Sequence, residues 1–298
     1  STTPTAPCQV AGQAFSSSAQ EAILDQIRPY RGYRAITSVN TQFGSSYHSL
    51  QVSGTHRFTG GSQVNVAYTW SKNLTNNPND RSSAPINMSD FGVEWARAAF
   101  DRRHIFTANF VYEIPFFRDQ RGFAGKILGG WQASGIVTYQ TGLPFTPTVS
   151  AFDPSGIGLI PPPTTVARPR VTCDPNVGGA GTTQQWFNTS CFQVTPISGT
   201  VSDNTFPSGG RGIINGPRTR RVDFTMAKNI RFSERFRLQL RAEAFNVFNI
   251  SNPRGLSTVV WSATTQPVSQ GGNGSSLFGQ VTSWRDPRVM QFGIKLNF

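Results

Sequence analysis

The residues best suited to chemistry are three cysteines, Cys8, Cys173 and Cys191. Cys173 and Cys191 lie 18 positions apart in a stretch rich in proline, glycine and threonine. This spacing allows a disulfide in an oxidising compartment, and two unpaired thiols are the alternative. There is no CxxC pair, and the three histidines are not at metal-ligand spacing. The sequence therefore predicts no metal site.

No set of residues indicates a catalytic centre. There are 15 acidic residues against 27 lysines and arginines, and most of the acidic residues lie beside an arginine. Asp101-Arg102-Arg103-His104 resembles a site, but a polar cap at the start of a strand explains the same residues. A Ser-His-Asp group could be assembled from any chain so rich in serine. We expect neither enzymatic activity nor a cofactor.

The elements that must position these residues are strands. Apolar and polar residues alternate through seven segments, and a period of two places one kind on each face of a β-strand. Glycine (29) and proline (20) are frequent and only 14% of residues are charged, which suits strands joined by turns. The predicted strands are 47–58, 63–74, 103–114, 130–141, 218–230, 236–247 and 288–298.

The connections between these strands alternate between short and long. The long ones are 75–100, 142–217 and 249–286, and each predicted strand has about the ten residues that cross a bilayer at a tilt. In an up-and-down barrel, this alternation places all long loops on one side of the membrane. A mean hydropathy of -0.30 is compatible, because residues facing the lumen are polar. We predict an all-β, antiparallel transmembrane β-barrel.

The last strand is apolar on one face and ends in phenylalanine. Such a strand resembles the membrane-insertion signal of bacterial outer-membrane barrels, with the residues Phe292, Ile294, Leu296 and Phe298. The last strand of a soluble sandwich is the alternative. An outer-membrane position would also explain the net charge of +12, because lipopolysaccharide and anionic lipid attract scattered arginines. The arginines form no single stripe, and we expect no nucleic-acid partner.

Two further groups of residues are candidates for binding. One group is aromatic, lies in the long loops and could stack on a ligand or pack among the loops themselves. The other is charged, lies on the polar strand face, and would contact a plug in the lumen or pair across neighbouring strands. The loop aromatics are Trp186, Phe187 and Trp261. The lumen charges are Arg221, Asp223, Arg237, Arg241 and Glu243.

Several short motifs resemble TonB-dependent outer-membrane receptors of the Oar-like type, which carry a carboxypeptidase-regulatory-like N-terminal domain. The similarity rests on their order and spacing over residues 46–298. The motifs are YHSLQV at 47–52, YTWSK at 68–72, FDRRH at 100–104, GWQ at 130–132, TGLPF at 141–145, WFN at 186–188, RAEAFNVFN at 241–249 and DPR at 286–288.

The resemblance implies a 22-stranded barrel in a Gram-negative outer membrane that imports a bulky nutrient with energy from TonB. Because it covers seven strands, we expect this chain to be the C-terminal part of such a barrel. Its partners would be the missing N-terminal plug and barrel portion, the TonB system through that portion, and the barrel-assembly machinery. The chain begins at Ser1 without a leader, so we expect either a removed signal peptide or a fragment.

Residues 1–45 are predicted to be an irregular extracellular segment with a short helix near 19–27 and a short strand near 35–39. Two other protein classes remain open. One is a small, self-contained outer-membrane barrel or adhesin, with an eighth strand from 30–42. The other is a secreted, soluble β-sandwich that binds carbohydrate.

Overall fold

A computed structural model describes residues 9–10, 13–14, 41–77, 90–149, 168–193, 209–233, 236–261 and 277–298. The helix predicted near 19–27 and the strand predicted near 35–39 lie outside these residues. In the described part of the chain, no helix is both long enough and apolar enough to cross a membrane. The main element is one large antiparallel sheet.

Seven long strands form this sheet, and each pairs antiparallel with the next along the chain. Their bounds lie within two residues of the predicted ones, because each strand alternates apolar and polar residues over its whole length. A two-residue strand, Ala96–Arg97, pairs with the end of the second long strand. The long strands are β1 (Ser45–Arg57), β2 (Gln63–Thr75), β3 (His104–Glu113), β4 (Trp131–Gln140), β5 (Thr219–Arg231), β6 (Arg237–Phe245) and β7 (Val289–Asn297).

The register places most apolar side chains of the seven strands on one face. Directly opposite residues share a face of the sheet, so the pairs can be followed from strand to strand. Examples are Val66 with Ala108, Ala108 with Val137, Val137 with Val222 and, further on, Ala242 with Phe292. A slip of one residue in any pair would move a polar row onto this face.

This apolar face is largely uncovered. The Leu50 side chain on β1 is 54% exposed and that of Ile294 on β7 is 78% exposed. A soluble β-sandwich would bury such a face against a second sheet. The sandwich alternative is therefore wrong for this chain. Within the described residues, β1 and β7 each have a long-strand partner on one side only, so the barrel is not closed by these seven strands.

The connections at one end of the sheet are short, and this end is called the short-turn end below. Residues 58–62 turn β1 into β2 through Gly60 and Gly61, whose φ angles of 90° and 88° suit glycine. The connection from β3 to β4 is longer and holds helix α1 (Gly122–Leu128), which ends where Gly129 donates its N–H to the Gly125 carbonyl oxygen at 2.9 Å.

The connections at the other end are long, and short elements order them. Two of these are 3-10 helices, Phe91–Glu94 and Thr189–Cys191. The others are paired short strands. These pairs are Pro144–Phe145 with Ile214–Asn215, Thr148–Val149 with Val259–Trp261, Arg170–Val171 with Phe192–Gln193, and Pro253–Leu256 with Val281–Trp284, besides Gln9–Val10 with Gln13–Ala14 near the start of the chain.

Candidate functional site

Most buried apolar side chains in the described part of the chain lie in the long loops, beyond the ends of the strands. Two loops, the one after β4 and the one after β6, contribute to one apolar core. We call the described residues of these loops, 141–149, 168–193, 209–218, 246–261 and 277–288, the loop body. Its buried core residues are Val149, Phe187, Cys191, Phe192, Ile214, Leu256, Val260 and Val281.

A disulfide lies at the edge of this core. The structure joins Cys173 to Cys191, and Cys191 is fully buried while Cys173 is exposed. The bond follows the short pair of strands Arg170–Val171 and Phe192–Gln193, where Thr172 N–H also donates to the Cys191 carbonyl oxygen at 2.9 Å. The covalent bond and the hydrogen bond hold the two ends of the same loop segment together.

We expect the double substitution Cys173→Ala with Cys191→Ala to destabilise the loop body by about 3 kcal/mol, because the unfolded loop gains conformational freedom. Hydrogen exchange in the outer membrane would measure this as faster exchange of amides 170–193. Amides of β2 to β5 serve as the internal control and should not change. Unchanged protection of 170–193 would show that the core alone orders this segment.

A buried group of charges connects the loop after β2 to the loop body. The Glu94 carboxylate accepts from Arg168 Nη2 at 2.7 Å and lies 3.2 Å from Arg211 Nε, with all three side chains largely buried. Arg211 also donates to the Thr75 carbonyl oxygen at 2.6 Å, and it contacts the Glu94 carbonyl oxygen. We call Glu94, Arg168 and Arg211 the charge bridge.

The charge bridge contains two cations and one anion. Burial lowers the pKa of Arg168, and the nearby Glu94 carboxylate partly offsets this effect. Burial also lowers the pKa of Arg211, again opposed by Glu94. Glu94 is thus the group that makes two buried guanidinium ions tolerable beneath the loops.

Asp101, Arg102 and His104, from the segment that resembled a site, have structural contacts. Asp101 is buried, its Oδ2 accepts from Arg97 Nε at 2.9 Å, and its Oδ1 accepts the Asn73 N–H at 2.8 Å. Arg102 donates to the Thr141 carbonyl oxygen at 2.6 Å, and its pKa is lowered by burial and by the neighbouring charge of Arg285. These contacts are those of a polar cap where β3 begins.

Two of the sequence motifs form the turns beneath the loop body. In TGLPF, Thr141 Oγ1 accepts the His104 N–H at 3.0 Å, and a Cβ on Gly142 would collide with the backbone of Gly216. In RAEAFNVFN, Asn246 and Asn249 have φ angles of 52° and 51°, a conformation that asparagine tolerates better than most residues. These residues shape the backbone of the two turns.

The three candidate ligand aromatics differ in position. Phe187 is buried in the core, so its interpretation as a ligand contact is wrong and the alternative of packing among the loops holds. Trp186 is half-buried, and its Nε1–H donates to the Asn215 carbonyl oxygen at 2.9 Å. For Trp261 only the backbone, at the end of Val259–Trp261, is described. Trp186 therefore remains a candidate contact at the edge of the loop body.

The candidate lumen charges line the polar face of β5 and β6. Arg221 Nε donates to the Asp223 carboxylate at 2.7 Å, and Arg241 Nη1 donates to Glu243 at 2.9 Å. Both ion pairs run along one strand, so the predicted pairing across neighbouring strands is wrong for them. Glu243 reaches β7 through Gln291 instead. Arg237 lies opposite Arg231 at the short-turn end.

Between β6 and β7 the polar face has a shallow cavity of about 260 Å³, lined by Gln239, Arg241, Glu243, Gln291 and Lys295 among others. The residues of the predicted insertion signal lie on the opposite face of β7. Phe292, Ile294 and Leu296 are exposed there, and Phe298 follows the strand and is also exposed.

A comparison with protein families identifies this architecture. The model of the outer membrane beta barrel domain matches residues 4–291, nearly the whole chain. The chain belongs to this outer-membrane β-barrel family. No curated protein matches the sequence.

Family membership indicates which surface of the protein faces lipid and which faces the lumen. The protein is located in the bacterial outer membrane, the uncovered apolar face of β1–β7 faces lipid, and the polar face faces the lumen. The long loops of such barrels are extracellular and the short turns periplasmic. From this general rule we expect the loop body and the charge bridge on the outer surface of the cell, and helix α1 at the periplasmic end. Sequence reasoning missed the charge bridge, because no spacing pattern links residues from three separate stretches.

Proposed function

We propose that the chain forms part of the wall of an outer-membrane receptor that takes up a bulky nutrient with energy from the TonB system. The observation that carries this proposal is the open polar face of the sheet. In an eight-stranded barrel, side chains fill the interior. Here Gln51, Asn109, Arg221 and Arg241 on the polar face are exposed, and the charges pair along their own strands. A wide lumen accounts for such a face.

The loop body supports a receptor rather than a simple pore. Loops that only fringe a pore need no core, whereas a binding surface must be held in one shape before the ligand arrives. The disulfide, the apolar core and the charge bridge supply that rigidity in three different ways. Trp186 would contact the ligand at the edge of this surface. Recognition and passage of the solute require no catalytic group, and we propose none.

The order of the motifs favours energy-coupled uptake over adhesion. Two of the eight motifs, TGLPF and RAEAFNVFN, form the turns that position the loop body, so the resemblance to TonB-dependent receptors includes the elements that build the proposed binding surface. A small self-contained barrel or an adhesin would have no use for coupling to the inner membrane. This difference allows a direct test without knowledge of the nutrient.

The test compares three strains of the native bacterium: wild type, a strain lacking this protein and a strain lacking TonB. Mass spectrometry of spent medium would show which solutes each strain removes. We expect at least one solute too large for general diffusion pores to remain in the medium of both mutant strains. If the strain lacking this protein removes every solute that the strain lacking TonB leaves behind, the uptake proposal fails.

A further inference from the structure

The connection between β3 and β4, residues 114–130, has its apolar side chains on the outside. We call it the β3–β4 connector. Its buried residues are small or polar, namely Gly125, Gly129 and Gln120. The Phe123 side chain is 83% exposed, and Phe116, Phe117, Ile127 and Leu128 are exposed as well. A surface helix in water shows the opposite arrangement, with its apolar stripe on the core.

Polar contacts fix the connector in this orientation. Gln120 Nε2 donates to the Asn229 carbonyl oxygen at 2.8 Å, while its Oε1 accepts the Arg231 N–H at 3.0 Å. A Cβ on Gly129 or Gly130 would collide with neighbouring backbone, so both positions require glycine. These hydrogen bonds and close backbone contacts therefore hold the exposed phenylalanines outward, and the connector cannot rotate to bury them.

Lys228 shows on which face of the sheet the connector lies. Lys228 lies directly opposite Trp131. Its side chain is on the same face of β5 as Phe224 and Met226, which is the apolar face. Its Nζ donates to the Ile127 carbonyl oxygen at 2.8 Å and contacts the Gly129 carbonyl oxygen at the end of α1. The C-terminal end of helix α1 thus lies on the lipid-facing side of β5, outside the barrel, at the short-turn end.

The connector also carries positive charge. Its charged residues are Arg118, Arg121, Lys126 and Asp119, which together have a net charge of +2. Arg118 is paired with Glu113 at the end of β3, at 3.1 Å, so Arg121 and Lys126 carry the rest of the positive charge. The lipid at the periplasmic end is the phospholipid of the inner leaflet, whose phosphates are anionic. Apolar side chains beside basic ones are the pattern of a helix that lies in a membrane interface.

We propose that the β3–β4 connector binds the phospholipids of the periplasmic leaflet. The exposed apolar side chains enter the boundary between headgroups and acyl chains, and Arg121 and Lys126 meet lipid phosphates. The connector would fix the height of β3, β4 and β5 in the bilayer. This inference rests on the outer-membrane location and on the periplasmic position of the short turns, so it stands or falls separately from the proposed nutrient uptake.

The test places the photo-crosslinking amino acid p-benzoylphenylalanine at position 123 of the full protein, in cells whose lipids are labelled with ³²P. The same substitution at Leu50, on the lipid-facing side of β1, gives the reference yield, and at Gln51, on the lumen side, the background. We expect an adduct at 123 with a yield similar to that at 50. Treatment with a phospholipase should release a fatty acid from the lipid in this adduct. The enzyme cleaves phospholipid in this way but does not cleave lipopolysaccharide.

A second measurement tests the charges and the burial in lipid. Replacing both Arg121 and Lys126 by glutamine should lower the adduct yield at 123 by about threefold or more, since the attraction of phosphates is lost. In purified outer membranes, the thiol of Phe123→Cys should react about tenfold more slowly with a water-soluble reagent than that of Asp119→Cys, since lipid shields the outward apolar position.

Three results would overturn the proposal. They are a lipopolysaccharide adduct at 123, a protein adduct in place of a lipid one, and equal thiol reactivity at positions 123 and 119. The first would place the connector in the wrong leaflet, the second would make it a protein interface, and the third would leave it in water.

Discussion

Replacing Glu94 by glutamine should destabilise the loop body by about 3–5 kcal/mol, the cost of removing one partner from a buried ion pair. The side chains of Glu94 and Arg168 are each only 5% exposed, so water cannot replace the lost carboxylate. Glutamine preserves the shape, but it removes the carboxylate that the buried charges of Arg168 and Arg211 share. Hydrogen exchange should become faster at amides 90–101 and 168–193 together, because the charge bridge joins these two segments.

The matched control is Glu113→Gln near the short-turn end. Glu113 also pairs with an arginine, Arg118, at 3.1 Å, but these side chains are 43% and 49% exposed. An exposed pair contributes about 0–1 kcal/mol, so this variant should leave exchange nearly unchanged. Equal effects of the two substitutions would contradict the charge bridge as a buried link between loops.

The strands could be predicted closely because their signal is local. The alternation of apolar and polar residues shows on which face of β1 or β7 each side chain lies, and no knowledge of the neighbouring strand is needed. The alternation also restricts the register, since a slip of one residue would move a polar row onto the apolar face. The polar cap at Asp101 was also predictable, because it lies directly before β3 and a charged cap is the simplest use of acidic and basic residues there.

The charge bridge and the loop core could not be predicted in the same way. Arg168 and Glu94 are 74 positions apart, and their loops have no period that would indicate which residues meet. The orientation of the β3–β4 connector was hidden for a related reason. A pattern such as FAGKIL shows that a helical turn has an apolar side, but only the exposure of Phe123 and Ile127 in the structure shows that this side faces away from the protein.

The sheet and the loop body differ in what determines their shape. The sheet is stabilised by lipid on one face and by strand pairing, and its residues can change in kind without changing its shape. The loop body has no lipid around it, so its shape depends on individual contacts among distant residues. The proposed ligand recognition depends on those same contacts, so the stability of the loop body is a condition for binding.

The core of the loop body should be most sensitive at Phe187. Its side chain is 1% exposed, and its ring packs edge-on against Phe192 and Phe278 at centroid distances of 5.7 and 5.2 Å. Phe187→Ala would leave a cavity between two rings, at a cost of about 3–5 kcal/mol. We expect protease cleavage within 170–193 on intact cells, where the native loop body resists it.

Two substitutions separate this packing role from ligand contact. Phe248→Ala removes a ring that is 70% exposed, and it should leave the loop body resistant to protease. Trp186→Phe keeps an aromatic ring but removes the hydrogen bond to Asn215, a loss of about 1 kcal/mol. If Trp186→Phe impairs uptake while the loop body stays resistant, Trp186 contacts the nutrient directly. If Phe187→Ala also leaves the loop body resistant, the apolar core is not what holds these loops, and the disulfide and the charge bridge must suffice.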